Sequence, residues 1–328
     1  MCDPSKLVTG TFLNLICVEE LMGFAKRHIL SMRDFSREEI DLILNRAIEL
    51  EPFAKGKRSD RLRGKILANL FFEPSTRTRI SFETAMKRLG GEVLNLDSTE
   101  GSSISKGETL ADTIRVISGY SDIIVLRHPK EGAARLASEF SSVPLINAGD
   151  GAGHHPTQTL LDLYTIKRES KLEGLRIALV GDLKYGRTVH SLSIALSYYG
   201  ARIMLVSPPA LRMSEAIKND LISSGADISE FENIQDVISD IDVLYVTRIQ
   251  KERFPILSEY NKVAGSYRID MKLLEKANEN LIIMHPLPRV DEIDPEVDRT
   301  PHAAYFKQAF YGVPVRMALL TLLMEVDG

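Results

Sequence analysis

The chain has 328 residues, of which 44% are hydrophobic and 26% charged, and its 41 basic and 45 acidic residues give a net charge of −4. Such a composition is typical of a globular protein with about two domains, and it excludes a strongly cationic nucleic-acid binder. The two cysteines, Cys2 and Cys17, are too few for a disulfide framework or a CxxC zinc site, and no apolar run is long enough to span a membrane. We therefore expect a cytoplasmic protein with neither nucleic-acid nor membrane partners.

The N-terminal segment, residues 1–26, differs in pattern from the rest of the chain. Residues 7–18 are apolar but interrupted by polar residues, and two glutamates follow them. The segment lacks a basic n-region and a small-residue cleavage site, so we do not expect a signal peptide. We predict that residues 1–26 lie outside the core and that Met22 is the true start. Finding Met1 or Cys2 intact by mass spectrometry of the native protein would contradict the second prediction.

The body of the chain begins with a helix that Ser36 caps, because Glu39 completes a capping box and Phe35 and Ile40 can form a hydrophobic staple. Apolar runs rich in β-branched residues then alternate with helical patterns. The predicted strands are 66–72, 123–126, 143–146, 177–180, 203–206, 243–246 and 281–284. The predicted helices are 82–89, 109–118, 157–168, 188–198, 214–223 and 309–324. Strands without polar alternation are typical of parallel sheets buried on both faces. The pattern predicts an α/β protein with two domains, each a parallel sheet flanked by helices.

Polar loops follow all but one of these predicted strands, and most of the loops carry an arginine. They begin at Ser75, Arg127, Asn147, Gly181, Thr247 and His285. The carboxyl ends of parallel strands meet at one edge of a sheet, which is where open α/β sheets bind ligands. We therefore expect an anion-binding cleft between the two domains, because guanidinium groups pair well with phosphates and carboxylates.

The loop after the first strand is the strongest phosphate-site candidate. It combines three hydroxyl residues and two arginines at a helix start: Ser75, Thr76, Arg77, Thr78 and Arg79. Unpaired backbone N–H groups, the positive end of the helix dipole and the guanidinium groups would all attract an anion there. The plain alternative is an ordinary capped helix with surface arginines.

Other site chemistries have weaker sequence support. The segment 181–186 follows a strand but is not G-x-G-x-x-G, and neither a P-loop nor a G-x-S-x-G motif is present. His154 and His155 are adjacent without H-E-x-x-H or third-ligand spacing, so we predict no metal site. We expect one of the two histidines to donate a hydrogen bond in the cleft and the other to be structural or exposed.

Several of these loops together resemble motifs of the transcarbamylase family. Three of them resemble its carbamoyl-phosphate motifs: 75–79 with 81–83, 127–129 and 155–158. Three more resemble its aspartate-specific branch: 181–191, 247–253 and 285–293. The resemblance extends from about Ile29 to Met324. It implies a carbamoyl-phosphate-binding domain of residues 27–156 plus about 305–328, and an aspartate-binding domain of residues 157–304.

The resemblance also implies roles for individual residues. The carbamoyl-phosphate-binding residues would be Ser75, Thr76, Arg77, Thr78, Ser102, Lys106, Arg127, His155, Gln158, Pro286, Leu287 and Pro288. Of these, Arg77, Lys106, Arg127 and His155 would be catalytic. Arg127 and His155 would stabilise the negative charge that grows on the carbonyl oxygen as the tetrahedral intermediate forms. Gln158 and the main chain at 286–288 would fix the carbamoyl NH2.

The implied second substrate is L-aspartate. Its binding residues would be Lys106, Arg187, Arg248 and Gln250. Its amine would attack the carbonyl carbon directly, and phosphate would leave. The product, N-carbamoyl-L-aspartate, belongs to de novo pyrimidine biosynthesis. This reaction needs no covalent enzyme intermediate, cofactor or metal, because catalysis comes from positioning and preorganised charge.

The family further implies contacts between subunits and within one chain. Ser102 and Lys106, in the loop 101–107, would reach into the active site of a neighbouring subunit of a homotrimer. Domain closure would align pairs of opposite charge: Glu73 with Arg187 and Arg253, and Glu252 with Arg248. Any nucleotide control would require a separate regulatory chain.

Two alternatives remain at this point. An ornithine carbamoyltransferase would share the phosphate motifs, but that family places a Cys near the last strand, where this chain has the segment 285–289 without one. A non-catalytic scaffold of the same fold would be expected to lose phosphate-loop arginines, whereas Arg77, Arg127 and His155 are all present.

Overall fold

The computed structural model describes residues 24–96, 107–249 and 265–324. The predicted N-terminal extension therefore lies almost entirely outside the described residues. Contacts between Cα atoms divide the chain into two compact units. The first unit comprises the residues up to Leu30, Glu38–Asp150 and the residues from Val313 onward, and the second comprises Ser31–Arg37 and Gly151–Gly312.

The first unit is built on a four-stranded parallel sheet with the order β2-β1-β3-β4. Its strands are β1 (Ile66–Phe71), β2 (Glu92–Leu96), β3 (Ile123–His128) and β4 (Leu145–Asp150). Its helices are α1 (Arg37–Ala54, with its first residue in the second unit), α2 (Thr76–Arg88), α3 (Leu110–Ser118) and α4 (Ala133–Ser138). Leu70 of β1 lies opposite Leu126 of β3, and both are fully buried in the core. Burial of such strands on both faces explains their continuous apolar sequence.

The second unit contains a five-stranded parallel sheet with the order β7-β6-β5-β8-β9. Its strands are β5 (Arg176–Val180), β6 (Arg202–Val206), β7 (Asp227–Phe231), β8 (Val243–Val246) and β9 (Ile282–Met284). Its helices are α5 (Pro156–Glu169), α6 (Arg187–Ser197), α7 (Glu215–Ser223) and α8 (Met271–Leu274), and α9 (Tyr305–Met324) begins in this unit and ends in the first. Four 3₁₀ turns complete the described elements: Met32–Asp34, Pro209–Leu211, Ile234–Asp236 and Pro295–Arg299.

The prediction of two parallel sheets flanked by helices is thus confirmed, and the structure adds two strands that the sequence pattern missed. These strands, β2 and β7, lie at the edges of their sheets. Both carry intermediate or exposed residues throughout, so they lack the apolar run that marks a central strand. The predicted cleft and domain boundaries stay predictions.

Two predicted strand ends were wrong. β3 continues through Arg127 to His128, and β4 continues to Asp150, although both stretches were assigned to loops. Pairing explains the difference, because His128 lies opposite Asp150 beyond an irregularity between Leu126 and His128. Polar residues at the ends of these strands therefore have positions fixed by the sheet. Within the described ranges, no helix is both long and apolar enough to cross a membrane.

Candidate functional site

The turn between β1 and α2 presents an uncapped helix start. Ser75 occupies the N-cap position with φ −158° and ψ 96°, but its side chain makes no capping hydrogen bond. The first turn of α2 also contains no acidic residue. The free N–H groups and the positive helix end are therefore not neutralised by the helix itself. This geometry favours an anion site over the ordinary capped helix that the sequence left as an alternative.

Arg127 approaches this region from the irregular end of β3. Its side chain is 12% exposed, its Nη2 lies 3.3 Å from Glu73 Oε1, and its Nη1 donates to the carbonyl oxygen of Ala148 at 3.2 Å. Within the described residues, the buried Arg127 Nε has no hydrogen-bond partner. Because a buried unsatisfied donor costs about 1–3 kcal/mol, this N–H is a ready site for an acceptor oxygen.

Arg77 and Arg127 repel each other across this site. Partial burial, and then the charge of Arg127, lower the pKa of Arg77. Burial also lowers the pKa of Arg127, although Glu73 opposes that shift. Arg77 makes no hydrogen bond or ion pair with the other described residues. Two like charges with too few counter-charges are the electrostatic signature of a site completed by an anion.

A set of polar residues to which the sequence assigned no role supports Arg127. Asn147 Oδ1 accepts from the Gly149 N–H at 2.9 Å, and Asn147 Nδ2 donates to Asp150 Oδ1 at 3.1 Å. Asp150 Oδ2 accepts from the Gly132 N–H at 3.0 Å. These bonds fix the end of β4, whose Ala148 carbonyl receives Arg127. The sequence signal for these residues is the polar run that follows the apolar part of the strand.

In the second unit, His155 stands at the N-cap of α5. It is 6% exposed, makes no capping bond, and its Nδ1 lies 3.4 Å from Thr157 Oγ1. The neighbouring His154 instead has its Nδ1 3.4 Å from Ser31 Oγ. The two adjacent rings thus have different surroundings. A buried imidazole at a helix start can donate to a substrate oxygen.

Gln158, in the first turn of α5, is held through its amide nitrogen. Its Nε2 donates to Asp162 Oδ1 at 2.8 Å. Asp162 is fully buried and also accepts from Gln308 and Tyr245. The sequence analysis missed this carboxylate. Its signal was a charged residue inside the apolar stretch 160–163.

The segment after β9 is held in an unusual backbone conformation. Leu287 has φ +54°, a left-handed value that is uncommon for a residue with a Cβ, and its peptide bond to Pro288 is cis. Its N–H donates to His285 Nδ1 at 2.8 Å, so the His285 Nε2 carries the ring proton and donates to Glu292 Oε1 at 2.7 Å. Burial alone would raise the pKa of Glu292, but the hydrogen bonds from His285 and the Val290 N–H lower it to about 2.

Two further predicted site residues follow β5 and β8. Arg187 opens α6, and its guanidinium donates to the carbonyl oxygen of Gly151. Arg248 follows β8 and lines a pocket together with Gly181, Tyr267 and Glu292. Gly181 has φ +115°, and a Cβ there would clash with the Thr247 carbonyl, so this tight turn requires glycine.

Five predicted site residues lie outside the described residues: Ser102, Lys106, Gln250, Glu252 and Arg253. Their roles stay predictions, as do the closure pairs with Glu73, which in the first unit contacts Arg127. Within the described ranges, no cluster of three or more His, Cys, Asp or Glu residues has the arrangement of a metal site.

Two family models cover almost the whole body of the chain. Residues 27–169 match the carbamoyl-P binding domain of aspartate/ornithine carbamoyltransferase, and residues 173–323 match its Asp/Orn binding domain. The aspartate carbamoyltransferase catalytic subunit of Methanothrix thermoacetophila is 69% identical over 300 residues, which cover 92% of this chain and 99% of that relative.

Solved structures agree with these matches. The catalytic subunit of M. jannaschii aspartate transcarbamoylase is 60% identical with a TM-score of 0.86, and the match covers 92% of this chain and 99% of that one. Aspartate transcarbamoylase from Trypanosoma cruzi, solved in complex with carbamoyl phosphate and aspartate, is 42% identical with a TM-score of 0.86 and coverages of 92% and 98%. The chain therefore belongs to the aspartate/ornithine carbamoyltransferase family.

Proposed function

We propose that this chain transfers the carbamoyl group of carbamoyl phosphate to the amine of L-aspartate, giving N-carbamoyl-L-aspartate and phosphate. The observation that carries this proposal is the pair Arg77 and Arg127, whose mutual repulsion at an uncapped helix start suits a bound phosphate. Its product belongs to de novo pyrimidine biosynthesis. The names and bound ligands of the similar proteins support aspartate over ornithine as the acceptor.

The phosphate is bound by the start of α2. Ser75, Thr76 and Thr78 contribute hydroxyl groups and backbone N–H groups, and Arg77 contributes a guanidinium. Ser75 is available for this role because it makes no capping bond. Arg127 supplies its orphaned Nε–H to the ligand. Charge-assisted hydrogen bonds of this kind are shorter and stronger than neutral ones.

The carbonyl group of the ligand is activated by Arg127 and His155. Both donate to the carbonyl oxygen, on which negative charge grows in the transition state. Gln158 and the main chain at Pro286, Leu287 and Pro288 accept hydrogen bonds from the carbamoyl NH2. The left-handed backbone at Leu287 suits this role, because strained backbone conformations cluster at active sites and ligand-binding segments, where the surrounding structure holds them in place.

Aspartate is bound by cations of the second half of the chain. Arg187 and Arg248 pair with its two carboxylates, and Gln250 and Lys106 assist. The aspartate nitrogen attacks the carbonyl carbon, so a C–N bond forms and the C–O bond to phosphate breaks. The proton of the amine passes to the departing phosphate. No cofactor is required for this step.

The assembly and the location of the protein are part of the same proposal. Ser102 and Lys106 reach into a neighbouring subunit's site in a homotrimer, and Glu73, Glu252 and Arg253 align the arginines when the site closes. A separate regulatory chain would supply any nucleotide control. The low cysteine content suits a reducing cytoplasm.

The test is carbamoyl transfer by the purified full-length protein, offered L-aspartate and L-ornithine in parallel, with products identified by mass spectrometry. Carbamoyl-aspartate alone is the expected result. Citrulline would leave the phosphate site in place but overturn the acceptor. Carbamoyl-phosphate binding without either product would identify a non-catalytic scaffold.

A further inference from the structure

Asp162 is a fully buried carboxylate that no proposed step uses. It lies on α5, one turn after Gln158. Burying a charge is costly unless hydrogen bonds compensate for it. The hydrogen bonds of Asp162 therefore show which side chains it holds in position.

Three side chains donate to this carboxylate. Oδ1 accepts from Gln158 Nε2 at 2.8 Å and from Gln308 Nε2 at 2.7 Å, and Oδ2 accepts from the Tyr245 hydroxyl at 2.8 Å. Burial, and then the charge of Asp162, raise the pKa of Tyr245 well above its usual value, so its hydroxyl stays a donor. The two amides and the phenol present protons to both oxygens, so Asp162 is the acceptor in all three bonds.

The first consequence concerns the orientation of Gln158. A carboxamide has one donor end and one acceptor end, and a carboxylate accepts only. Asp162 therefore selects the rotamer in which the Gln158 NH2 faces inward. The Gln158 Oε1 is left at the opposite end of the amide, where it accepts no hydrogen bond from the described residues. An outward-facing carbonyl oxygen can accept from an NH2 group and cannot donate to one.

The second consequence concerns the segment after β9. Gln308 donates to Asp162 through Nε2, and its Oε1 accepts from the His285 N–H at 2.8 Å. Asp162 thus fixes which end of the Gln308 amide faces His285. The same segment continues through Leu287, whose main chain is the other proposed acceptor for the carbamoyl NH2. The buried Asp162 carboxylate therefore orients both proposed acceptors of the carbamoyl NH2, the Gln158 side chain and the main chain after β9.

We propose that Asp162 is a positioning residue that sets the acceptor polarity of the carbamoyl-NH2 site, and so makes the enzyme select a carbamoyl over an acyl group of the same shape. This inference rests on the proposed function, because Gln158 and the 286–288 main chain act on the NH2 only in that reaction. The selection is sharp in principle, since a site built around a hydrogen bond rejects analogues that cannot make it.

Acetyl phosphate is the matched probe, because a methyl group replaces the NH2 and the rest of the molecule is unchanged. We would measure kcat and KM for carbamoyl phosphate with saturating L-aspartate, and the inhibition constant of acetyl phosphate against carbamoyl phosphate. In Asp162→Asn, the new amide can donate to Gln158 and reverse it. We expect kcat/KM for carbamoyl phosphate to fall about 10- to 100-fold, while acetyl phosphate inhibits within about threefold of its wild-type constant.

Tyr245→Phe is the matched control. It removes a donor from the same carboxylate but leaves the bonds of Asp162 to both glutamines, so the ratio between the two ligands should stay within about threefold of wild type. An equal loss for both ligands in Asp162→Asn would overturn the inference and indicate a general structural role. Failure of the wild-type protein to form carbamoyl-aspartate would instead overturn the proposed function.

If Asp162→Asn does not fold, a crystal structure of the wild-type protein tests the role of Asp162 instead. A crystal structure of the wild-type protein with carbamoyl phosphate should keep the Gln158 Nε2–Asp162 contact and place the carbamoyl nitrogen within hydrogen-bond distance of Gln158 Oε1. A complex in which Gln158 leaves Asp162, or turns its nitrogen toward the ligand, would overturn the inference.

Discussion

Removal of the Arg77 side chain should weaken ligand binding without lowering the stability of the folded protein. Arg77 is exposed, makes no hydrogen bond or ion pair with the other described residues, and is repelled by Arg127. In the absence of ligand, Arg77→Ala should therefore leave the free energy of unfolding unchanged within about 0.5 kcal/mol, or raise it slightly. The cost should appear only when an anion is bound.

The size of that cost follows from the bonds that are lost. Hydrogen bonds to charged groups contribute about 1.5–3 kcal/mol, which corresponds to about 10- to 150-fold in binding. A donor that also stabilises transition-state charge contributes about 10²–10³-fold to kcat. We expect kcat/KM for carbamoyl phosphate to fall at least about 100-fold in Arg77→Ala.

Arg79→Ala provides the control on the same helix, because the structure places Arg79 beside Glu83 although the sequence pattern grouped it with Arg77 at the anion site. Arg79 lies 3.8 Å from Glu83, so its removal should cost about 0.5 kcal/mol of stability. Arg79 follows Arg77 by two residues, so its side chain lies about 200° around the helix axis, on a different face of the helix. We therefore expect kcat/KM to change less than about threefold in Arg79→Ala. Steady-state kinetics and denaturant unfolding measure both effects. Equal kcat/KM in the two variants would refute the assignment of Arg77 to the phosphate site.

Two further predictions concern a helix cap and a buried carboxylate. Ser75→Ala should lower the free energy of unfolding by less than about 0.5 kcal/mol, because Ser75 makes no capping bond. Thr109→Ala removes the bond that Thr109 accepts from the Asp112 N–H and should lower it by about 1 kcal/mol. Equal losses for the two variants in denaturant unfolding would contradict this prediction. Glu292, with a pKa lowered to about 2 from 4.5, stabilises the fold above pH 4.5, and this contribution of about 3 kcal/mol is lost as the pH falls toward 2. Glu292→Gln should therefore destabilise the protein at pH 7 and flatten the stability profile between those pH values, and an unchanged acid profile would contradict the role of this carboxylate.

Much of the fold could be predicted from the sequence because central parallel strands have a strong signature. The strands β1, β5, β6 and β8 are apolar and buried, and each was predicted within about one residue. The edge strand β2 has an exposed leucine, Leu94, and its two polar residues, Glu92 and Asn95, leave neither an apolar run nor a strict alternation, so the local pattern does not predict a strand there. Its pairing with β1 supplies the stability that its own sequence lacks.

The residue types of the candidate site could be predicted from the sequence, but the hydrogen bonds and ion pairs that join them could not. Arginines after strands could be found because strand ends converge at one edge of a sheet. The contact of Arg127 with Glu73 and the bonds of Asp162 to Tyr245 and Gln308 join residues that are far apart in the chain. Such bonds depend on tertiary distances, which periodicity does not encode. A single acid within an apolar helix stripe was the only local hint of Asp162.

In the proposed site, one set of arginines binds phosphate and another binds the aspartate carboxylates, and a bound complex tests that division most directly. We would determine the crystal structure with carbamoyl phosphate and succinate, which is aspartate without the reactive amine. We expect the phosphate within hydrogen-bond distance of Ser75, Arg77 and Arg127, and the succinate carboxylates on Arg187 and Arg248. A phosphate bound by Arg187 or Arg248, or succinate bound by Arg77, would contradict that division.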